Sequence, residues 1–165
     1  MNKKSIFIAM AIVAFTFVIY AYLGGYNKLE FDTEIRDMSI YGKPYLGPIK
    51  SSDLGNLFEE NKQLSLKYNT SLAVVDYGLV GEDSVKQFIG IITEDSISEY
   101  SIQMNEVTFL KTLLTANPAV MPSPEAVRDQ ANDYAKSNNL VLDDFSIEIY
   151  QTNGNIEVYF PTKAF

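Results

Sequence analysis

Apolar and polar residues alternate along the last part of the chain, on both sides of an Asn-Gly pair. Residues 145–161 read F-S-I-E-I-Y-Q-T-N-G-N-I-E-V-Y-F-P. Asn and Gly tolerate the positive φ angles of a two-residue hairpin turn, so the pattern predicts two antiparallel strands joined at Asn153-Gly154. The register that follows from such a turn places Glu148 opposite Tyr159 and Tyr150 opposite Glu157.

This register divides the predicted hairpin into an apolar and a polar face, because side chains alternate along a strand. The apolar face is a core face that carries Ile147, Ile149, Ile156, Val158 and Phe160. The polar face carries Glu148, Tyr150, Glu157 and Tyr159. Tyrosine rings present a negative π-face and carboxylates present charge, so the polar face is suited to a cationic ligand. The same residues are also typical of a solvent-exposed sheet face, on which cross-strand pairs only stabilise the hairpin.

The first part of the chain is an uncharged apolar run. Lys3 and Lys4 precede 18 residues without a charged side chain, from Ile6 to Leu23. This length is at the lower limit for crossing a bilayer, and lysines before such a run are also typical of a secretory signal. The run does not end in a good A-x-A-like cleavage site, and several tyrosines near its end are typical of a membrane interface. The sequence therefore favours an uncleaved anchor over a signal peptide.

These features predict three segments along the chain. We expect residues 1–26 to be a single-pass membrane anchor, 27–33 a linker and 34–165 one ligand-binding domain. The positive-inside rule places the N-terminus in the cytoplasm and the domain on the exoplasmic side, periplasmic or extracellular.

The segments between the anchor and the hairpin repeat one order of elements. A strand is predicted at 35–45, a helix from Ser51 or Ser52 to about Lys67, and two strands at 71–80 and 87–93. A further strand within 100–116 precedes a helix that begins at Ser123-Pro124, and the hairpin follows. The fold class is therefore α+β, with two strand-helix-strand-strand repeats forming one antiparallel sheet. Both helices are expected on one face of the sheet, which leaves the face with Glu148 open.

Composition and charge exclude several kinds of chemistry. The chain has neither histidine nor cysteine, so Ser-His and Cys-His dyads, thiolate metal sites and disulfides are impossible. We expect no metal and no cofactor. The net charge of −8 disfavours nucleic acid as a partner and mildly favours cations.

Six short segments together resemble the GyrI-like small-molecule-binding domains. This family includes the gyrase-inhibitory protein and the effector-binding domains of multidrug-responsive transcription regulators. The segments are M-S-I-Y-G at 38–42, L-F-E-E at 57–60, F-I-G-I-I at 88–92, M-P-S-P-E-A-V at 121–127, S-I-E-I-Y at 146–150 and V-Y-F-P at 158–161.

The resemblance implies two pseudo-symmetric repeats with a ligand groove between them. It also implies that a glutamate in the penultimate strand reads cationic, hydrophobic ligands, and the matching position here is Glu148. Tyr150 and Tyr159 are then expected beside it, with Tyr77 and Tyr41 from the first repeat. The sequence departs from the consecutive tyrosines that are common in the first hairpin of the family, because it has Val75-Asp76-Tyr77 there.

Three functions remain open at this point. The first is a membrane-tethered domain that senses or sequesters amphipathic, cationic ligands. The second is a hydrolase of reactive small molecules, in which Glu148 activates water and Tyr159 or Tyr77 donates a hydrogen bond. The third is a protein-interaction module at the membrane, with an unknown partner.

Overall fold

The chain folds into three helices and six strands within the described residues. The structure is a computed structural model that describes residues 3–23, 29–115, 117 and 119–163. The helices are α1 (Lys3–Tyr22), α2 (Ser52–Tyr68) and α3 (Pro124–Ser137). The strands are β1 (Phe31–Pro48), β2 (Leu72–Leu79), β3 (Ser84–Ile92), β4 (Tyr100–Leu114), β5 (Ser146–Tyr150) and β6 (Ile156–Pro161).

The two predicted repeats are present. The first is β1-α2-β2-β3 and the second is β4-α3-β5-β6. The strands pair in the order β1-β3-β2-β5-β6-β4, all antiparallel, and exchanging the two repeats reproduces the same order. The topology therefore has the pseudo-twofold symmetry that the family resemblance implies.

The expectation that one face of the sheet stays open is wrong, because the sheet closes into a barrel. β4 pairs not only with β6 but also with β1, from Phe31 opposite Thr112 to Gly42 opposite Tyr100. Closure turns the inner face into a packed interior that includes Ile40, Phe109 and Ile147, each 0% exposed.

Both repeat helices pack on the outside of the barrel, as predicted. The apolar side of α2 lies on Leu72, Val74 and Ile89, and that of α3 lies on strand residues that include Leu110 and Phe160. Each helix begins at a serine cap, because the hydroxyl oxygens of Ser51 and Ser123 accept a backbone N–H of the first turn.

The predicted register of the last hairpin is wrong by one residue. Gly154 N donates to the Gln151 carbonyl and only Gly154 has a positive φ in the turn, so the connection is a three-residue loop. Ile147 therefore lies opposite Tyr159, and Glu148 lies opposite Val158. Because side chains alternate, this shift moves every β6 residue to the opposite face from the one predicted.

The first helix, α1, covers most of the predicted anchor. Its apolar side chains, including Ile12, Phe15 and Val18, are exposed. Among the described residues, however, no helix has both the length and the apolar character that crossing a membrane requires. The predicted transmembrane helix is therefore not supported.

We expect residues 29–165 to fold without the preceding segment. Among the described residues, the three clusters of buried apolar residues lie between Phe31 and Phe160, and none of them includes a residue of α1. A cooperative thermal unfolding transition of this fragment, close to that of the full chain, is the expected result. A broad, non-cooperative transition would show that the barrel depends on the N-terminal segment.

Candidate functional site

A cavity of about 310 Å³ lies on the outer face of the barrel, between β5, β6 and the start of α3. Its polar lining residues are Ser146, Glu148 and Tyr150. Its apolar lining residues are Leu114, Met121, Pro122, Pro124, Val127, Ile156, Val158 and Phe160. We call this space the Glu148 cavity. Its volume is at the lower end of the range that is usual for small-molecule sites.

Local sequence explains why the cavity forms at this place. Pro122 and Pro124 flank the Ser123 cap, and a proline at the first helical position starts α3 without losing a hydrogen bond. The segment before α3 thereby forms one wall of the cavity. The strand wall carries a single carboxylate, since Glu148 has Val158 opposite it on β6 and Val74 opposite it on β2.

The Glu148 carboxylate is half-buried and has a tyrosine as its hydrogen-bond partner. The Tyr150 hydroxyl donates to Glu148 Oε2 at 2.6 Å, and Phe58 of α2 packs edge-on against the Tyr150 ring at 5.3 Å. Desolvation by burial raises the pKa of Glu148, repulsion from Asp76 adds to the rise, and the Tyr150 hydrogen bond opposes it. Burial beside the carboxylate also raises the pKa of Tyr150. Within the part of the chain that the structure describes, no salt bridge includes Glu148.

The raised pKa of Glu148 predicts a pH dependence of stability. The native state holds this proton more tightly than the unfolded chain does. The resulting stabilisation is complete below an unfolded pKa of about 4.3 and is lost as the pH rises through the raised native pKa. We therefore expect the free energy of unfolding of the wild type, minus that of Glu148→Gln, to fall with pH in this window. Urea denaturation at a series of pH values measures the difference, and a difference that rises with pH would contradict the assignment.

The structure brings together only two of the five predicted site residues. Glu148 and Tyr150 line the same cavity. Tyr159 is 1% exposed inside the barrel, where its ring meets Phe109 edge-on at 5.6 Å. Tyr77 lies at one end of the barrel, and Tyr41 is buried on β1 opposite Ile91.

Tyr159 belongs to a separate polar group in the barrel interior. Its hydroxyl donates to Glu157 Oε2 at 3.1 Å and accepts from Arg36 at 2.9 Å. Glu148 and Tyr159 therefore lie on opposite faces of the sheet, and Tyr77 does not line the Glu148 cavity either. The catalytic pairing of Glu148 with Tyr159 or Tyr77 that a hydrolase would use does not form.

Sequence reasoning missed the apolar walls of the cavity. The prolines around Ser123 indicated a helix start, but nothing in their pattern indicated that Met121 and Pro122 would face Glu148. Val158 and Phe160 were expected in a core, and both are buried in the cluster beneath α3, where they also line the cavity. Nor do three acidic side chains converge on a metal-binding position in the described ranges.

The fold is shared with solved structures of low sequence identity. SAV2435 bound to tetraphenylphosphonium is 10% identical, with a TM-score of 0.51, over 83% of this chain and 94% of that chain. The EcmrR C-terminal domain is 11% identical, with a TM-score of 0.58, over 83% of this chain and 99% of that chain. EcmrR in a DNA complex is 10% identical, with a TM-score of 0.60, over 99% of this chain and 69% of that chain. Comparison with protein-family models and with curated proteins finds no match for this chain.

Proposed function

We propose that this domain belongs to the GyrI-like small-molecule-binding proteins and binds a lipophilic cation in the Glu148 cavity. The observation that carries the proposal is a half-buried carboxylate in an apolar cavity, without a cationic partner among the described residues. The tetraphenylphosphonium complex of SAV2435, which has the same fold, is consistent with a ligand of this class.

A cation would offset the energetic penalty of burying the Glu148 carboxylate. Desolvation disfavours the ionised form of Glu148, and the Tyr150 hydroxyl compensates only in part. A positive charge beside the carboxylate would favour ionisation. The apolar body of the same ligand would lie against Phe160, Val158 and Met121. The combination selects molecules that are both hydrophobic and positively charged.

The direct test compares a cation with a neutral molecule of similar shape. We expect titration calorimetry to detect binding of tetraphenylphosphonium and much weaker binding of triphenylphosphine oxide, which has similar rings and no net charge. Binding of tetraphenylphosphonium should strengthen with pH as Glu148 ionises. Equal affinities for the two compounds would contradict the proposal that the Glu148 carboxylate recognises the charge of the ligand.

We also propose, from the sequence alone, that residues 1–26 hold the domain on the exoplasmic side of a membrane. The support is the uncharged run after Lys3 and Lys4. The expected result is full-length mass in the membrane fraction and cleavage of the domain by protease added from the exoplasmic side. A mature chain that begins near Gly24 in the soluble fraction would contradict the proposal.

A further inference from the structure

A second and larger cavity opens at one end of the barrel. β4 begins at Tyr100, opposite Gly42, so β1 residues 43–48 pair with β3 alone. The inner face of these strands is therefore uncovered on one side. The space, of about 630 Å³, is bounded by residues of β1, β2, β3 and β4. We call it the mouth cavity.

Aromatic rings form much of the wall of the mouth cavity. Phe88 is buried at its base, and Tyr77 and Tyr100 line it with 37% and 51% of their surface exposed. The Tyr77 ring packs against Phe145 at 5.5 Å, which holds its orientation. Burial raises the pKa of the Tyr77 hydroxyl. A flat ring that enters the cavity can stack on these surfaces.

A lysine supplies the only positive side chain among the residues that line this cavity. Lys86 Nζ lies 4.9 Å from the centroid of the Tyr77 ring. No salt bridge of the described residues includes Lys86. Its ammonium already covers the Tyr77 ring, which disfavours a cationic ligand at that position and favours an anionic group.

The charge of the lining limits the charge of the ligand. Glu99 also lines the mouth cavity, so the formal charges of Lys86 and Glu99 cancel. A single negative group can pair with Lys86, whereas a polyphosphate would be repelled by Glu99 and by the net charge of −8 of the chain. We propose that the mouth cavity is a second ligand site, for a flat aromatic ring with one carboxylate or sulfonate group.

This site goes beyond the cation site proposed above and does not depend on it. Its lining residues lie in β1 to β4 or, in the case of Glu99, just before β4, and none of them lines the Glu148 cavity. The two sites would bind ligands of opposite charge. Each can therefore be tested, and can fail, without the other.

The probe for the mouth cavity is naphthalene carboxylate, with its neutral carboxamide as the comparison. We expect calorimetry to detect binding of the carboxylate and to show weaker binding of the carboxamide. Lys86→Gln should weaken carboxylate binding roughly tenfold, the loss expected for one charge-assisted contact. Tyr100→Ala should also weaken it, through the lost stacking surface. Glu148→Gln should leave the affinity for the carboxylate unchanged, and Lys86→Gln should leave tetraphenylphosphonium binding unchanged.

Lys67 is a matched control for Lys86. Its Nζ lies 5.3 Å from the Tyr68 ring, so it makes the same kind of cation–π contact on α2, away from the mouth cavity. Lys67→Gln should bind the carboxylate like the wild type. No binding to the wild type, or equal weakening by the two lysine variants, would overturn the proposal. Thermal unfolding of both variants, expected to be unchanged since both lysines are exposed, separates loss of binding from loss of structure.

Discussion

Glu148→Gln should weaken tetraphenylphosphonium binding by about ten- to a hundredfold. The substitution keeps the shape of the side chain and an acceptor for the Tyr150 hydroxyl, and it removes only the charge. The expected loss corresponds to about 1.5–3 kcal/mol, the usual contribution of a hydrogen bond to a charged group. Calorimetry on both proteins at neutral pH measures it. The free protein should be as stable as the wild type or more so, because an ionised carboxylate is no longer held in an apolar cavity.

Glu157→Gln is the matched control for this prediction. Glu157 also accepts from a tyrosine two residues along its strand, since Tyr159 donates to it at 3.1 Å. This second pair faces the barrel interior, whereas Glu148 and Tyr150 face the outer cavity. Glu157→Gln should therefore leave tetraphenylphosphonium binding unchanged. Equal affinities for the ligand in the two glutamine variants would exclude Glu148 as the group that reads charge.

Gly90→Ala should destabilise the barrel by about 1–3 kcal/mol, the usual cost of overpacking a core. Gly90 lies opposite Gly42, and the two backbones approach closely. A Cβ atom on Gly90 would lie less than 3 Å from the carbonyl of Tyr41 and from the Cα of Gly42. Backbone atoms cannot rotate away as a side chain can, so β1 and β3 would have to separate. Chemical denaturation measures the change.

Gly55→Ala should change the stability in the opposite direction. Gly55 lies within α2, and a Cβ atom there would meet no atom within 4 Å. Alanine should therefore stabilise the protein by roughly 0.5–1 kcal/mol, because glycine loses more conformational freedom in a helix. If both alanine variants changed the stability by the same amount and sign, the close approach of β1 and β3 would be wrong.

The elements of the fold could be predicted because their signals are local. A serine followed by an apolar stripe marks each helix start, as at Ser51 and Ser123, and the structure has caps at both positions. Alternation within each strand likewise depends on neighbours in sequence. The order of strands and helices, and hence the two repeats, follows from these local signals alone.

The candidate site could be predicted only in part, because it depends on which strands meet. The alternation within β5 and within β6 was predicted correctly. The predicted two-residue loop and the observed three-residue loop, however, give pairing registers that differ by one residue. Alternation inside a strand does not decide between these registers. The four residues predicted on one polar face therefore form two Glu–Tyr pairs, which lie on opposite faces of the sheet.

The amino-acid sequence by itself determined the two repeats, the helix starts and the alternation of side chains within β5 and within β6. Only the tertiary structure decided that β4 pairs with β1, that the inner face is therefore a core, and that Glu148 faces the outer cavity beside α3. The physical reason is that barrel closure depends on backbone hydrogen bonds between residues far apart in the chain, such as those of β1 with β4. Every residue other than proline offers the same backbone N–H and C=O groups for these bonds. The side-chain pattern of a single strand therefore does not determine which strand it pairs with.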